Sequence, residues 1–290
     1  MAKHCLELIS LKCSEIRILI GNGYTSNNKY RRYLKRQINL FYLALSFFTR
    51  IPVPQSMYYS PVLLNKSGRY FSLIGLLLAG ILSLLFTLIS PLFPDTISIA
   101  LLVIVSLLLT GAFHEDGLAD MADGIGGGMT VEKRLTIMKD SRIGTYGAVT
   151  LFMALALKLL VLIELAQIAY LIPSLFLGYA LSRAVAASLI YDLPYVADID
   201  TSKSKPLANK QSPFELRLLF IVGLAPLLFF SLTTALLLIL TLFIFRAGFK
   251  QWLIKRIGGY TGDCLGACQQ LSELLIYLVI LASFTSFGQA

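Results

Sequence analysis

The chain has 290 residues, 57% of them hydrophobic and only 14% charged, with a mean hydropathy of +0.75 and a formal net charge of +9. That apolar share excludes an ordinary soluble domain and predicts an all-α fold, a polytopic helical bundle integral to a membrane. The excess positive charge is mostly a topology signal plus a basic amino-terminal segment, so it gives little ground for nucleic-acid binding.

In chain order, residues 1–36 stand apart as a basic extension, an interrupted apolar stretch (LELISLKCSEIRILI) followed by a polar one (GNGYTSNNKYRRYLKRQ). It lacks the unbroken core of a signal peptide and reads as an interfacial helix, a disordered arm or sequence ahead of the true start. Residues 37–290 are expected to form the transmembrane catalytic region. Its first segment, INLFYLALSFFTRIPVP (38–54), is apolar for about eleven residues and stops at Arg50 and two prolines. That length fits a short interfacial or re-entrant helix near 38–50. About seven spans follow, near 70–91, 96–113, 146–171, 173–191, 216–231, 233–249 and 265–284. In 214–249, one overlong helix competes with two short ones folded back near Ser231–Thr234.

The basic residues fix the orientation. Eleven precede residue 70, and four lie in each of 114–143, 192–217 and 246–256, whereas 92–95, 172, 232 and 285–290 hold none. Seven spans put every basic loop and the amino terminus on the cytoplasmic side of the inner membrane, with the carboxyl terminus outside. Six spans would strand the 246–256 cluster outside. No internal repeat of the kind many transporters show is evident. Cys5 and Cys13 precede the spans, and Cys264 and Cys268 stand one turn apart without a neighbouring histidine, so reduced thiols rather than a metal site are expected.

The chemistry concentrates in HEDGLADMADG (114–124). In a helix Asp116, Asp120 and Asp123 stand at i, i+4 and i+7, which projects all three onto one face. Three converging carboxylates repel one another unless a cation lies among them, and Mg²⁺ suits hard oxygen ligands that also meet substrate phosphates. Glu115 points about 100° away and is left out of the set. A solvated acidic loop is the plain alternative. Gly126, Gly127 and Gly128 follow, then an amphipathic stretch ending in KDSRIGTYG, where Lys139, Asp140 and Arg142 lie beside flexible glycines suited to phosphate oxygens. Topology alone also accounts for those basic residues.

Arg183 lies inside an apolar span, where a charge faces the bundle interior by default and pairs with an anionic ligand, an aspartate of the cluster or Glu164. Lys158 and Glu164 share a span but stand six residues apart, poorly placed to pair, and Glu273 lies two turns into the last span. Lys203 and Lys205 in the 202–212 loop are placed to close over a polyphosphate, although an ordinary cytoplasmic loop has the same composition. In GGYTGDCLGA (258–267), Asp263 completes the metal shell, acts as a base or caps the last helix.

Taken in order, FFTRIPVP, GAFHEDGLADMADG, MKDSRIGTYG, LSRAVAA and GGYTGDCLGA resemble the cobalamin synthase family, the adenosylcobinamide-GDP ribazoletransferases, over residues from about Gln37 to the carboxyl end. Residues 1–36 fall outside the family's pattern, and 202–212 matches it loosely. The resemblance implies a Mg²⁺-dependent membrane enzyme that joins adenosylcobinamide-GDP to α-ribazole or its 5′-phosphate and releases GMP in the last stage of vitamin B12 assembly. On that reading Asp116, Asp120 and Asp123 hold Mg²⁺ against the diphosphate, Lys139, Arg142 and Arg183 neutralise charge, and His114 or Asp263 accepts the hydroxyl proton. The expected partners are those substrates and the bilayer, with a homo-oligomer or a complex with other late corrinoid-pathway enzymes left open. The rivals are a CDP-alcohol phosphotransferase, whose pattern has an arginine where Asp120 stands, and a cation-coupled transporter.

Overall fold

The computed structural model describes residues 30–197 and 211–287; most of the basic extension, and Lys203 and Lys205 with it, lie outside the described residues. Helix α1 covers 30–48 and so carries the last residues of the extension into the first apolar segment. It stops just before the Ile51–Pro54 stretch, whose prolines disfavour further helix. Helix α2 (Pro61–Ser67) is capped by Ser60, whose hydroxyl accepts from the Leu63 amide, and runs through a 3₁₀ turn (Gly68–Tyr70) into α3 (Phe71–Ile89).

Helix α4 (Asp95–Thr110) ends at two consecutive left-handed residues, Gly111 (φ 64°) and Ala112 (φ 53°), and α5 (Phe113–Gly127) leaves at 86°. Glycine adopts that conformation freely, but Ala112 does so at a cost of about 1 kcal/mol or more. The corner is held from outside by the segment after α1. The Arg50 amide donates to the Leu109 carbonyl at 2.7 Å, and its guanidinium lies so close over Gly111 that a Cβ there would come within 2.5 Å of Arg50 Nε.

Helix α6 (Val131–Met138) is capped by Thr130, and α7 (Thr145–Gln167) follows. Helix α8 (Leu171–Asp192) is the hub. Its apolar window is 89% buried, against 22% for α7, so it is surrounded by protein. Small residues let its neighbours approach. A Cβ at Gly75 of α3 would lie 2.2 Å from the Tyr179 carbonyl oxygen, and one at Gly178 would strike the Tyr277 ring.

Helix α9 (Pro213–Leu224) starts with a capping box between Ser212 and Glu215, and Glu215 also pairs with Arg69 at 2.7 Å. A 3₁₀ turn (Ala225–Phe229) follows, then α10 (Leu232–Ile257), capped by Ser231, and α11 (Gly262–Phe287). The expected break near Ser231 is therefore present. The expected 216–231 span, however, is a 12-residue helix plus the 3₁₀ turn, because Pro226 deprives the helix of a backbone donor. Among the described residues five helices are long and apolar enough to cross a membrane, or six if the bent α4–α5 pair is one span, where seven were expected.

Two ionisable groups inside the bundle pair with each other. Lys158 Nζ lies 2.6 Å from Glu273 Oε1, both nearly inaccessible, so the partner of Lys158 is on α11 and not Glu164 of its own helix. Gln269 Nε2 donates to Glu273 Oε2 (2.6 Å) and Ser182 Oγ (3.0 Å), while Gln270 Nε2 donates to Gln269 Oε1 and to Glu115 Oε1, each at 2.9 Å. The network binds α5, α7, α8 and α11 together. Removing one partner of a buried pair strands the other charge, at a cost of about 3–5 kcal/mol. Glu273→Gln is accordingly expected to lower the thermal unfolding midpoint of the detergent-solubilised protein sharply, and Lys158→Met with Glu273→Leu to restore most of it; equal midpoints for all three proteins would contradict the pairing.

Candidate active site

The acidic motif folds as α5, with Glu115 and Asp116 in its first turn, where negative charge favours the helix dipole. The expected common face is present as a gradient, with Asp116 exposed, Asp120 half-buried and Asp123 buried. Glu115 turns inward to Gln270.

Asp123 has a specific employment. Its Oδ2 accepts from the Gly144 amide at 2.7 Å and its Oδ1 from the Gly147 amide at 2.8 Å. These are the first amides of α7, whose own N-cap residue, Gly144, has no side chain to satisfy them. Both glycines are required by the approach, since a Cβ at either would lie within 2.5 Å of the carboxylate. Asp123 thus caps α7 across helices, and among the described residues no three His, Cys, Asp or Glu side chains stand close enough together to hold a metal ion. Asp116 and Asp120 remain one turn apart on the open part of the face. Two carboxylates completed by substrate phosphate oxygens are a donor set that fits Mg²⁺.

Asp263 joins this face through backbone contact. A Cβ at Gly117 would lie 3.0 Å from both Cα and O of Asp263 and 3.3 Å from Cα of Gly266, so α5 and α11 touch at the turn bearing Asp116 and Asp120. Capping of α11 falls to Thr261, whose hydroxyl accepts from the Cys264 amide at 3.3 Å and contacts Asp263 Oδ2 at 3.2 Å. The preceding corner is made rigid by Gly258 (φ 79°) and by a backbone bridge in which Tyr260 pairs with Tyr195; a Cβ at Gly259 would come within 2.2 Å of the Pro194 carbonyl oxygen. Burial pushes the Tyr260 phenol up, so it stays neutral at physiological pH. Cys264 and Cys268 are buried free thiols.

The other expected site residues scatter. His114 lies two residues before Asp116, about 200° round the helix. Its buried ring stacks on Phe48 with centroids 5.9 Å apart and planes 7° from parallel. Gly126 and Gly127 form the last turn of α5, with Gly126 set against the Tyr146 ring. Arg142, whose side chain is 87% exposed, forks onto Asp140 at 2.7 Å, and these hydrogen bonds hold the Asp140 carboxyl below its usual range. Lys139 is exposed at the C-cap of α6. Arg183 is buried in α8, its Nη1 donating to the Tyr179 carbonyl at 2.7 Å, with its guanidinium 5.2 Å from the centre of the Tyr179 ring.

Sequence reasoning missed two groups. The capped donors Gly144 and Gly147 had a signal, a helix beginning at glycine with no Ser, Thr, Asp or Asn to cap it. The aromatic cluster of Phe47, Phe48, Phe71 and Phe113, which walls a cavity of about 40 Å³ together with His114 and Arg183, had none.

A family model described as cobalamin-5-phosphate synthase matches residues 40–281. Among similar proteins, the adenosylcobinamide-GDP ribazoletransferase of Vibrio cholerae (strain O395) is 58% identical over 249 residues, covering 86% of this chain and 95% of its own. Those of Vibrio parahaemolyticus (55% over 260 residues, 89% and 98%) and Shewanella pealeana (52% over 249 residues, 85% and 96%) are also similar. These likenesses favour neither the lipid-phosphotransferase nor the transporter reading. No solved structure matches the chain.

The division of labour within the motif is measurable. Asp123→Ala leaves two helix-terminal amides without acceptors and is expected to destabilise the protein by about 1–3 kcal/mol, whereas Asp116→Ala, at an exposed position, leaves the unfolding free energy within about 0.5 kcal/mol of wild type. Denaturation of both variants in detergent checks this; equal losses would remove the capping role of Asp123.

Proposed function

The chain belongs to the cobalamin-5-phosphate synthase family, transferases of final-step cobalamin synthesis, and on that premise we propose that it moves the cobinamide phosphate of adenosylcobinamide-GDP onto α-ribazole or its 5′-phosphate. A ribose hydroxyl oxygen bonds to the phosphorus carried by the cobinamide, the bond from that phosphorus to the GMP oxygen breaks, and GMP departs with the bond's electrons. The hydroxyl proton passes to a nearby base. Such a displacement asks mostly for alignment and charge neutralisation.

The observation that carries this reading is the α5–α11 contact at Gly117 and Gly266, which sets Asp263 beside the turn of Asp116 and Asp120. Asp116 and Asp120 are the residues that would hold Mg²⁺ against the diphosphate, and a bound divalent ion would neutralise charge on the phosphoryl oxygens. Asp263 is the preferred proton acceptor over His114, because the buried His114 ring is packed against Phe48 and Phe113. Lys139 and Arg142, on the exposed turn between α6 and α7, supply cationic contacts to the departing nucleotide.

A cytoplasmic orientation in the inner membrane is part of this reading, and the basic rim supports it. Arg134 of α6 donates to the carbonyl of Arg256 at the end of α10 (2.8 Å), and the segment after α8 pairs with the α10–α11 corner. The basic connections therefore gather at one end of the bundle, the end expected to face the cytoplasm.

Purified protein in detergent or vesicles with Mg²⁺ is expected to release GMP from adenosylcobinamide-GDP only when α-ribazole is added, and a chelator should stop the release. Asp120→Ala and Asp116→Ala are each expected to lower kcat/KM by about 100-fold or more while the protein still reaches the membrane. Turnover of CDP-diacylglycerol in place of adenosylcobinamide-GDP would refute the assignment.

A further inference from the structure

The cavity between α1, α3, α5, α8 and α11 has the wrong chemistry for a diphosphate. Its walls are ring faces and edges, from Phe47, Phe48, Phe71 and Phe113, with His114 completing the stack. Gln269 also reaches the wall, but its amide is spent: Nε2 on Ser182 and Glu273, Oε1 on Gln270. Arg183 is different. It is 97% buried at the same wall (3% exposed), its Nη1 is bonded to the Tyr179 carbonyl, and its Nε–H has no hydrogen-bond partner. A buried donor left unsatisfied is costly and calls for an acceptor.

We propose that this cavity takes the benzimidazole base of α-ribazole, with the ring nitrogen that does not carry the ribose accepting from Arg183 Nε–H. The inference rests on the activity proposed above and assigns the nucleophile's place within it. A benzimidazole is flat, fused and apolar along its benzo edge, so phenylalanine faces suit it. As a riboside it keeps a single in-plane lone pair, an acceptor for the unpartnered Nε–H. Guanine, in contrast, has several donors and acceptors that these walls would leave unpaired. The base needs more room than the cavity's volume of about 40 Å³, and Phe47 and Phe113, both only partly buried, are the rings that would turn aside.

The cavity's position suits delivery. Gly262, Leu265 and Gly266 of α11 form one side of it, and Gly266 lies against the His114 carbonyl and Gly117. A base seated among the phenylalanines would leave its ribose at the Gly262 edge, next to Asp263 and the α5 face that carries Asp116 and Asp120.

The test uses the full-length protein in nanodiscs with Mg²⁺ and GMP release as readout, and compares α-ribazole with the corresponding dimethylindole riboside, which lacks the lone pair. Wild type is expected to prefer α-ribazole by at least about 10-fold in kcat/KM, and Arg183→Met to abolish most of that preference. Phe47→Ala and Phe113→Ala are each expected to raise the KM for α-ribazole by roughly 10-fold and to shift that for adenosylcobinamide-GDP by less than about twofold. Equal use of the two ribosides by wild type overturns the Arg183 contact even if no variant folds. A rise confined to the KM of adenosylcobinamide-GDP overturns the base assignment and gives the cavity to the other substrate. Absence of GMP release by wild type with either riboside overturns the activity and this inference together.

Discussion

The buried pairing of Lys158 with Glu273 is the constraint on which the rest of the bundle depends. In hydrocarbon neither group has water to fall back on, so the pair forms in only one relative register of α7 and α11. The amides of Gln269 and Gln270 extend that register to Ser182 on α8 and Glu115 on α5. Apolar surfaces alone would let these helices slide, since lipid tails solvate leucine as well as another helix does. A chain of polar contacts does not slide. It therefore sets the depth at which α5 meets α11, and with it the meeting of Asp263 and the acidic face.

Carboxylates in this protein do three different jobs within a few turns. Glu115 and Glu273 build the interior network, Asp123 satisfies the start of α7, and Asp116 and Asp120 keep an open aspect. Their spacing on one helix does not separate these jobs; what each side chain meets does. Asp123 shares the face of Asp116 and Asp120 yet lies under the glycines that begin α7, and its negative charge meets two amide dipoles there.

Much of the architecture was legible in the sequence because it follows from local rules. Apolar run lengths gave the long helices, Ser231 marked the break before α10, and the i, i+4, i+7 spacing put the three aspartates on one face. The spans failed where length and proline competed, in the short α9 and its 3₁₀ turn. Tertiary partnerships were not legible. Nothing near Lys158 names Glu273, over a hundred residues away, and nothing in FFTRIPVP says that Arg50 will brace the corner at Gly111 while Phe47 and Phe48 wall a cavity. Such pairings depend on which helices pack, a property of the whole chain.

The central position of α8 has a consequence for how the protein is made. Its hydropathy is 1.3, the lowest among the five long helices and well below the 2.5 and 2.3 of Pro61–Ile89 and α7, and it carries Arg183. Left to its own affinity for lipid it is the weakest candidate for insertion during translation. Its hydrogen-bonding partner Gln269 and the ring of Tyr277 belong to α11, the last of the described helices to leave the ribosome. The hub of the finished enzyme is thus the element whose polar flank stays uncovered longest during synthesis, and truncation before α11 would remove the surface that makes α8 tolerable in the bilayer.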